Sequence, residues 1–583
     1  SPSPRGGGAA GEASAAAWGE RLAPPRVEGS GAAERRWLTA SGVVFRADFP
    51  SANLAAARLR PGGHGEYVLR PARDCADTSH ETTHCSWFYF GVSGHEAGQT
   101  LAFSVVGLNK QNKLFAADMR PVVCCPGRGE PWRRVVGRPV FGALAPGEVP
   151  GVTPPKGKKN YRLQFKHAFE GAEEHFFAFC FPHSYQDCRD FLDRLERAAA
   201  PHASDFVFRR EPLALSRLGR QIEVITITSR GAGSGSGSGS GSGWGKDTLP
   251  PGRGIFFISA RVHPGETPAS FILNGVLNFL VRPGDRRAQV ARSRYVFKIV
   301  PMINPDGVDL GHYRQNSLGQ NLNRHYEAPS LEEQPEVLAI KDLVLGFARR
   351  KQLDFYIDLH AHANKKGIFL FGNALPPEAQ VQTILFSKLL TLNCPHFDLS
   401  NCNFTEKNMC SKDKEGSTKE GSGRVALYKA TGLTHIYTVE SNYTTSRIRN
   451  IVPEADFGQE STGAAAARRP VSPTSKARAP VPFDIAAFEG MGRALVVSAL
   501  DLEGVNPWSR VPNSPFRTFQ ALRTWANSFM NSSDPVLSTR SRSSPGSAVR
   551  RGSRFGKVFP RSSFTFEPLG VPTESQPILS PGE

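Results

Sequence analysis

Nowhere in the sequence is there an uncharged apolar run approaching the ~18 residues that a membrane-spanning helix needs, so a bilayer-embedded function is not expected. The opening segment, SPSPRGGGAAGEASAAAWGERL, has no apolar core and does not read as a signal peptide. Cysteine is scarce and unpatterned. There are nine (Cys75, Cys85, Cys124, Cys125, Cys180, Cys188, Cys394, Cys402 and Cys410), an odd number without a CxxC pair. That argues against a disulfide framework and a cysteine zinc site, and fits a reducing cytosol. No internal repeat, recognition helix or RNA-binding motif is present, so nucleic acid is not the expected partner. Acidic residues are in deficit, 53 against 71 Lys and Arg, giving a net charge of +18. Such a field draws anionic partners: nucleic acid, anionic lipid or an acidic polypeptide. Charge alone does not choose among them.

What is present falls into distinct textures. Residues 1–42 are rich in Ala, Gly, Pro and Arg and are expected to be disordered. From Val43, short aromatic and β-branched runs such as VVFRADF, SWFYFGVSG, TLAFSVVGL and HFFAFCFP are separated by Gly, Asn and Pro. They predict an antiparallel β-sandwich over 43–185. A helix follows in SYQDCRDFLDRLERAAA, with Ser as its cap. Over 186–508, strands (IFFISA, YVFKIVPMI, DFYIDLH, GIFLFGN, HIYTVE) alternate with helices (PASFILNGVLNFLV, EVLAIKDLVLGFARR, VQTILFSKLLTL, IAAFEGMGRALVVSAL). Near-continuous apolar strands predict a sheet covered on both faces, an α/β fold. Gly/Ser-rich 231–245 and low-complexity 458–482 read as flexible insertions, and Ser/Arg/Pro-rich 509–583 as a disordered basic tail.

Several short motifs carry chemistry. His263 and Glu266, in HPGE just after IFFISA, can converge on one metal ion from a strand-to-helix turn. A third ligand ends the strand DFYIDLH; His360 and His362 are spaced two apart and share a side, so spacing leaves both open. Glu440, ending HIYTVE, is placed to act as general base to an activated water. The segment after NPDG brings Arg314, Asn323 and Arg324 close in sequence, and guanidinium groups bind carboxylates in a two-pronged grip.

HPGE, NPDG, GHYR, NLNR, DLHAH, KEGSGR with LYKATG, and TVE occur in the order of the zinc carboxypeptidase superfamily. Their spelling, with FRADFPSANL, SWFYFGV, LNKQNKLF and FFAFCFPHSY upstream, resembles the cytosolic carboxypeptidase family over roughly Val43 to Trp508. Within it, the likeness is greatest to members that remove branch-point glutamates. The resemblance implies the zinc-carboxypeptidase fold, a mixed sheet flanked by helices. It also implies one zinc ion per chain held by His263, Glu266 and His360, with Glu440 as catalytic glutamate. Arg314 matches the carbonyl-polarising arginine, Asn323 and Arg324 the pair gripping the terminal carboxylate, and Tyr428 a mobile tyrosine that closes over substrate. Arg424, and Lys419 beside it, match the basic element of the side-chain pocket. The implied activity is release of glutamate from glutamylated acidic tails such as those of tubulin. The implied location is cytoplasmic, microtubule-associated and partly nuclear.

The sequence departs from the family in the Gly/Ser tract, a short segment after Arg324, the loop after Ile451, and Ser441 where a cysteine is expected. None removes a reacting group, but loops shape access to a cleft, which bears on branch-point selectivity. Two other readings compete: a zinc amidohydrolase of small acyl-amino acids, and a catalytically idle tubulin-binding protein. The Asn323–Arg324 pair, Tyr428 and the sandwich favour a polypeptide substrate.

Overall fold

A strand whose every side chain is apolar must be covered on both faces, and the central sheet meets that requirement. The computed structural model describes residues 35–62, 65–154, 157, 159–230, 252–413, 416–457, 481–531 and 536, with the backbone of 20–21. The central sheet has seven strands, in spatial order Phe206–Leu215, Gln221–Ser229, Tyr295–Val300, Gly254–Ala260, Leu353–Ala361, His435–Ser441 and Ile368–Phe371. The four from Tyr295–Val300 to His435–Ser441 are mutually parallel and the flanking ones antiparallel, a mixed sheet. Alternation sorts the strand Gly254–Ala260 between two cores. Phe256, Ile258 and Ala260 pack with the helices Pro268–Leu280, Pro377–Asn393 and Ile485–Leu502. Ile255 and Phe257 pack on the other face with Pro335–Arg349.

Before this layer come two sheets, of seven and five strands, facing each other across Phe45, Tyr67, Phe90, Phe103, Phe165 and Phe177. Their pairing is antiparallel except where Glu66–Arg70 runs parallel to Thr100–Leu108. The helix Tyr185–Ala199 opens with reciprocal bonds between Ser184 and Asp187, a capping box. Both regions lie within one unit, Ser1–Thr539, and Tyr443, just after the central sheet's strand His435–Ser441, is buried in the sandwich core. No helix among the described residues is long and apolar enough to cross a membrane.

Two expectations of disorder are corrected in part. In place of an unstructured tail from residue 509, Phe519–Met530 is a helix capped by Thr518, with Leu522 and Ala526 buried. Lys388 of the helix Pro377–Asn393 lies over the rings of Phe516 and Trp525, at 5.3 and 4.8 Å. The Ser/Arg/Pro bias of the surrounding sequence hid a short amphipathic stripe. At the other end, Arg36–Leu38 pairs with Val44–Arg46 and buries Trp37, whose single large ring outweighs its polar neighbours. The expected insertion 231–245, nearly all of 458–482, and most of both expected tails lie outside the described residues.

The contact between Pro268–Leu280 and Ile485–Leu502 is close enough to need glycine. A Cβ at Gly492 would lie 1.9 Å from the Ile272 carbonyl oxygen, whereas one at Gly490 would meet nothing within 4 Å. Gly492→Ala should destabilise the fold by about 1–3 kcal/mol, seen as a lower melting temperature. Gly490→Ala on the same helix should leave that temperature unchanged or raised.

Candidate metal and substrate centre

In an open α/β sheet, ligands gather beyond the carboxyl ends of the strands where the strand order reverses. Here the reversal falls at Gly254–Ala260, with Tyr295–Val300 on one side and Leu353–Ala361 on the other. His263 and Glu266 follow that strand. His360 stands near the end of the next, and Glu440 pairs with it in register on the strand beyond.

The His263–Glu266 turn is held from two directions. Gly265 donates its N–H to the Tyr313 carbonyl at 2.8 Å, and a Cβ there would lie 2.6 Å from the Tyr313 ring. Any larger residue would push the Arg314 segment away. From beneath, buried Arg261 donates to the carbonyls of Pro264 (2.7 Å) and His183 (2.9 Å) and to Ser270 Oγ (3.0 Å). Its backbone is left-handed, φ 61°, unusual for a long side chain. Burial lowers its pKa to about 10.

The structure brings His263, Glu266 and His360 together, all buried, with their ligating atoms within 4.8 Å of one another. Each imidazole turns Nδ1 inward. His360 Nδ1 lies 3.0 Å from Glu266 Oε2, and His263 Nδ1 lies 2.9 Å from Oε1. The latter contact lacks hydrogen-bond alignment, leaving His263 Nδ1 buried without a hydrogen-bond partner. Outward, His263 Nε2 meets Asn321 Oδ1 at 2.9 Å and His360 Nε2 meets Asp358 Oδ2 at 2.7 Å. Such outer bonds fix the tautomer that presents Nδ1 to a metal. Burial lowers His263 to about 4, so it is neutral. Burial would also lower His360, but the carboxylates of Asp358 and Glu266 raise it well above the imidazole value. Two nitrogens and a carboxylate are a donor set that suits zinc. His362 is not in this group; its Nδ1 accepts the N–H groups of Asn364 and Lys365 at 3.1 and 3.0 Å.

Around the cradle stand the other expected residues. Burial pushes the Glu440 carboxyl up to about 8, and its Oε2 is buried with no hydrogen-bond partner. Arg314 Nη1 lies 3.9 Å from Glu266 Oε1. Asn323 Oδ1 accepts the Gly423 N–H at 2.9 Å, and its Nδ2 lies 3.4 Å from His360 Nε2, so it joins the metal cluster to the helix Gly423–Thr431. Arg324 donates from Nε to Asp413 Oδ2 at 3.0 Å, a carboxylate of the chain itself engaging this guanidinium.

Arg424 opens the helix Gly423–Thr431 and is only 3% exposed. It donates to the Gly372 carbonyl, to Asn373 Oδ1 (2.7 Å) and to Asn408 Oδ1 (3.0 Å), all neutral acceptors. Burial lowers its pKa to about 10, with Glu440 pulling the other way. Lys419 Nζ lies 5.5 Å over the Phe371 ring, and burial lowers its pKa. Lys365 shares that ring at 5.4 Å and was not anticipated from sequence. Tyr428 stands apart: it packs against the cluster of Leu427, Val344 and Ile436 and makes no side-chain hydrogen bond among the described residues. Asp358 and Asn321 were also missed. Asp358 could have been noticed two residues before His360, but Asn321 carries no sequence signal of its own.

A family profile described as zinc carboxypeptidase matches residues 202–378. The chain is 32% identical to cytosolic carboxypeptidase-like protein 5 of Rattus norvegicus, over 89% of this chain and 74% of that protein. It is 32% identical to human cytosolic carboxypeptidase 6, over 69% and 72%. Among solved structures, a metallo-carboxypeptidase from Burkholderia cenocepacia shares the fold with a TM-score of 0.54 at 18% identity, over 79% of this chain and 99% of that one.

The cradle predicts one tightly held zinc per chain, measured by competition with a chromophoric chelator. His360→Ala should abolish stoichiometric binding and His362→Ala should leave it intact. Asp358→Asn, which spares every ligand, should weaken affinity by about 10–100-fold.

Proposed function

The chain belongs to the cytosolic carboxypeptidase family of zinc carboxypeptidases, and from that footing we propose that it releases glutamate from glutamylated acidic protein tails, such as those of tubulin, including the γ-linked branch-point residue. The observation that carries this reading is Arg424, a cation buried at the centre whose hydrogen-bond partners are all neutral. A buried charge left without a counter-ion is costly, so the site favours a ligand that brings one. A glutamate side chain does so, while an apolar side chain would leave the cation unmatched. Lys419 adds positive charge beside it, with Lys365 next to Lys419. The Asn323–Arg324 pair, Tyr428 and the leading sandwich favour a polypeptide over a small acyl-amino acid, and the complete set of ligands and base favours turnover over idle binding.

His263, Glu266 and His360 would hold the zinc, which when bound supplies a Lewis acid that acidifies a water and polarises a carbonyl. The remaining work belongs to the chain. Asn323 Nδ2 and the Arg324 guanidinium hold the substrate's terminal carboxylate, with Arg324 exchanging its contact with Asp413. Arg424 takes the side-chain carboxylate. Arg314 faces the scissile carbonyl and stabilises negative charge as it develops there, an effect often worth about 3–4 kcal/mol per donor. Glu440 Oε2 takes a proton from the attacking water and returns it to the leaving amine. Its raised pKa suits a group that must both accept and give. Tyr428, which packs apart from the cradle in the free chain, would close over the bound substrate. A cytoplasmic, microtubule-associated and partly nuclear location follows from the same reading.

Two synthetic peptides test the proposal, one ending in a linear run of glutamates and one bearing a γ-linked glutamate on an internal glutamate. Zinc-loaded enzyme should release glutamate from at least the branched peptide, and a chelator should stop it. Glu440→Gln should lower kcat by about 10²–10⁴-fold with zinc content unchanged. Arg424→Met should lower kcat/KM for terminal glutamate by about 10⁴-fold and erase the preference over an apolar residue. Release of apolar residues by the unaltered enzyme at equal rate would overturn the glutamate reading.

A further inference from the structure

The segment carrying Arg314 is shaped by the sandwich as well as by its own layer. Asp74 lies in the loop after the strand Glu66–Arg70 and is 1% exposed. Its Oδ1 accepts the Tyr313 N–H at 2.7 Å, and its Oδ2 accepts those of Arg314 at 2.7 Å and Gln315 at 3.0 Å. Three successive amides converging on one carboxylate form a nest, and bonds to an ionised acceptor are short and strong. Neighbouring contacts point the same way. Cys75, itself left-handed at φ 59°, donates its N–H to His312 Nε2 at 3.1 Å. Asn53 Nδ2 donates to the Gly311 carbonyl at 3.0 Å. The backbone that Asp74 grips is the backbone from which the Arg314 side chain reaches Glu266, and the adjacent Tyr313 carbonyl binds Gly265.

We infer that Asp74 is a positioning residue: through the amides of residues 313–315 it aims the Arg314 guanidinium at the reacting carbonyl, so the sandwich supplies part of the catalytic geometry. The inference rests on the role proposed above for Arg314. A displacement of about 1 Å at such a group costs on the order of 10²-fold in rate. Removing the carboxylate therefore acts on turnover through Arg314, while the metal ligands keep their separate holds on Arg261, Asn321, Asp358 and the Ala361 amide.

Two measurements on the full chain test it. Asp74→Asn keeps the side chain's size but turns an amide NH₂ toward one or more of the three N–H donors. Hydrogen exchange should quicken at residues 313–315 while zinc stoichiometry stays at one per chain. In glutamate release, kcat should fall about 10–100-fold with a smaller change in KM, and Asp74→Glu should recover part of the loss. In an Arg314→Ala background, Asp74→Asn should cost less than about threefold more. Equal losses in both backgrounds, loss of zinc, or unchanged exchange at 313–315 would each overturn the inference. Should the unaltered enzyme release no glutamate, the functional reading fails, and the exchange arm alone decides whether Asp74 orders this segment.

Discussion

One hydrogen bond sets the spacing of the centre: the backbone N–H of Ala361 donates to Glu266 Oε2 at 2.9 Å. Glu266 arrives from the turn after one strand, and Ala361 follows His360 on the next. The bond therefore fastens a side chain of the turn to the backbone beside the second imidazole. It also consumes one lone pair of the carboxylate, which limits how Glu266 can rotate. His263, His360, Arg314 and Glu440 are all measured from this carboxylate, either by contact or by the parallel register that sets Glu440 opposite His360. Were the register of those two strands to slip by one residue, His360 and Glu440 would point to opposite faces.

Positive charge is distributed unevenly around that point. The centre collects Arg314, Arg324, Arg424, Lys419 and Lys365 against Glu266, Glu440 and Asp413. Two of the cations are treated in opposite ways. Arg324 is kept company by a carboxylate on a neighbouring loop, whereas buried Arg424 is solvated only by amide oxygens. Amide dipoles keep an arginine charged at neutral pH without neutralising it, so its field remains available to a ligand. The aromatic faces of Phe369 and Phe371 serve Lys365 similarly, at 5.0 and 5.4 Å.

How much of this could be read from the sequence follows from what kind of interaction is involved. The parallel strands were legible because burial on both faces writes an unbroken apolar run, as in IFFISA and DFYIDLH. His263, Glu266 and Glu440 were legible because strand ends and tight turns mark where side chains meet a cleft. Spacing alone left His360 and His362 undecided; the structure separates them by the local amides that occupy His362. Asn321 and Lys365 were illegible because each matters through a partner on another element, whereas Asp358 left a fainter signal, a carboxylate two residues before His360 on the same strand. The strand Arg36–Leu38 and the helix Phe519–Met530 were lost in biased composition, where Trp37 or Leu522 decides the outcome and an average over neighbours does not.

Arg261 has a bearing on where this chain can be divided. Its guanidinium needs the carbonyl of His183, a residue in the short link between the sandwich's last described strand, His175–Ala178, and the helix Tyr185–Ala199. A catalytic fragment begun at Tyr185 or later would leave a buried cation short of an acceptor beneath the very turn that presents His263 and Glu266. The apparent seam between the two regions is therefore no place to cut. Recombining this catalytic layer with an unrelated leading domain would require carrying residues 181–184 along with it, so the unit of inheritance is larger than the unit of chemistry.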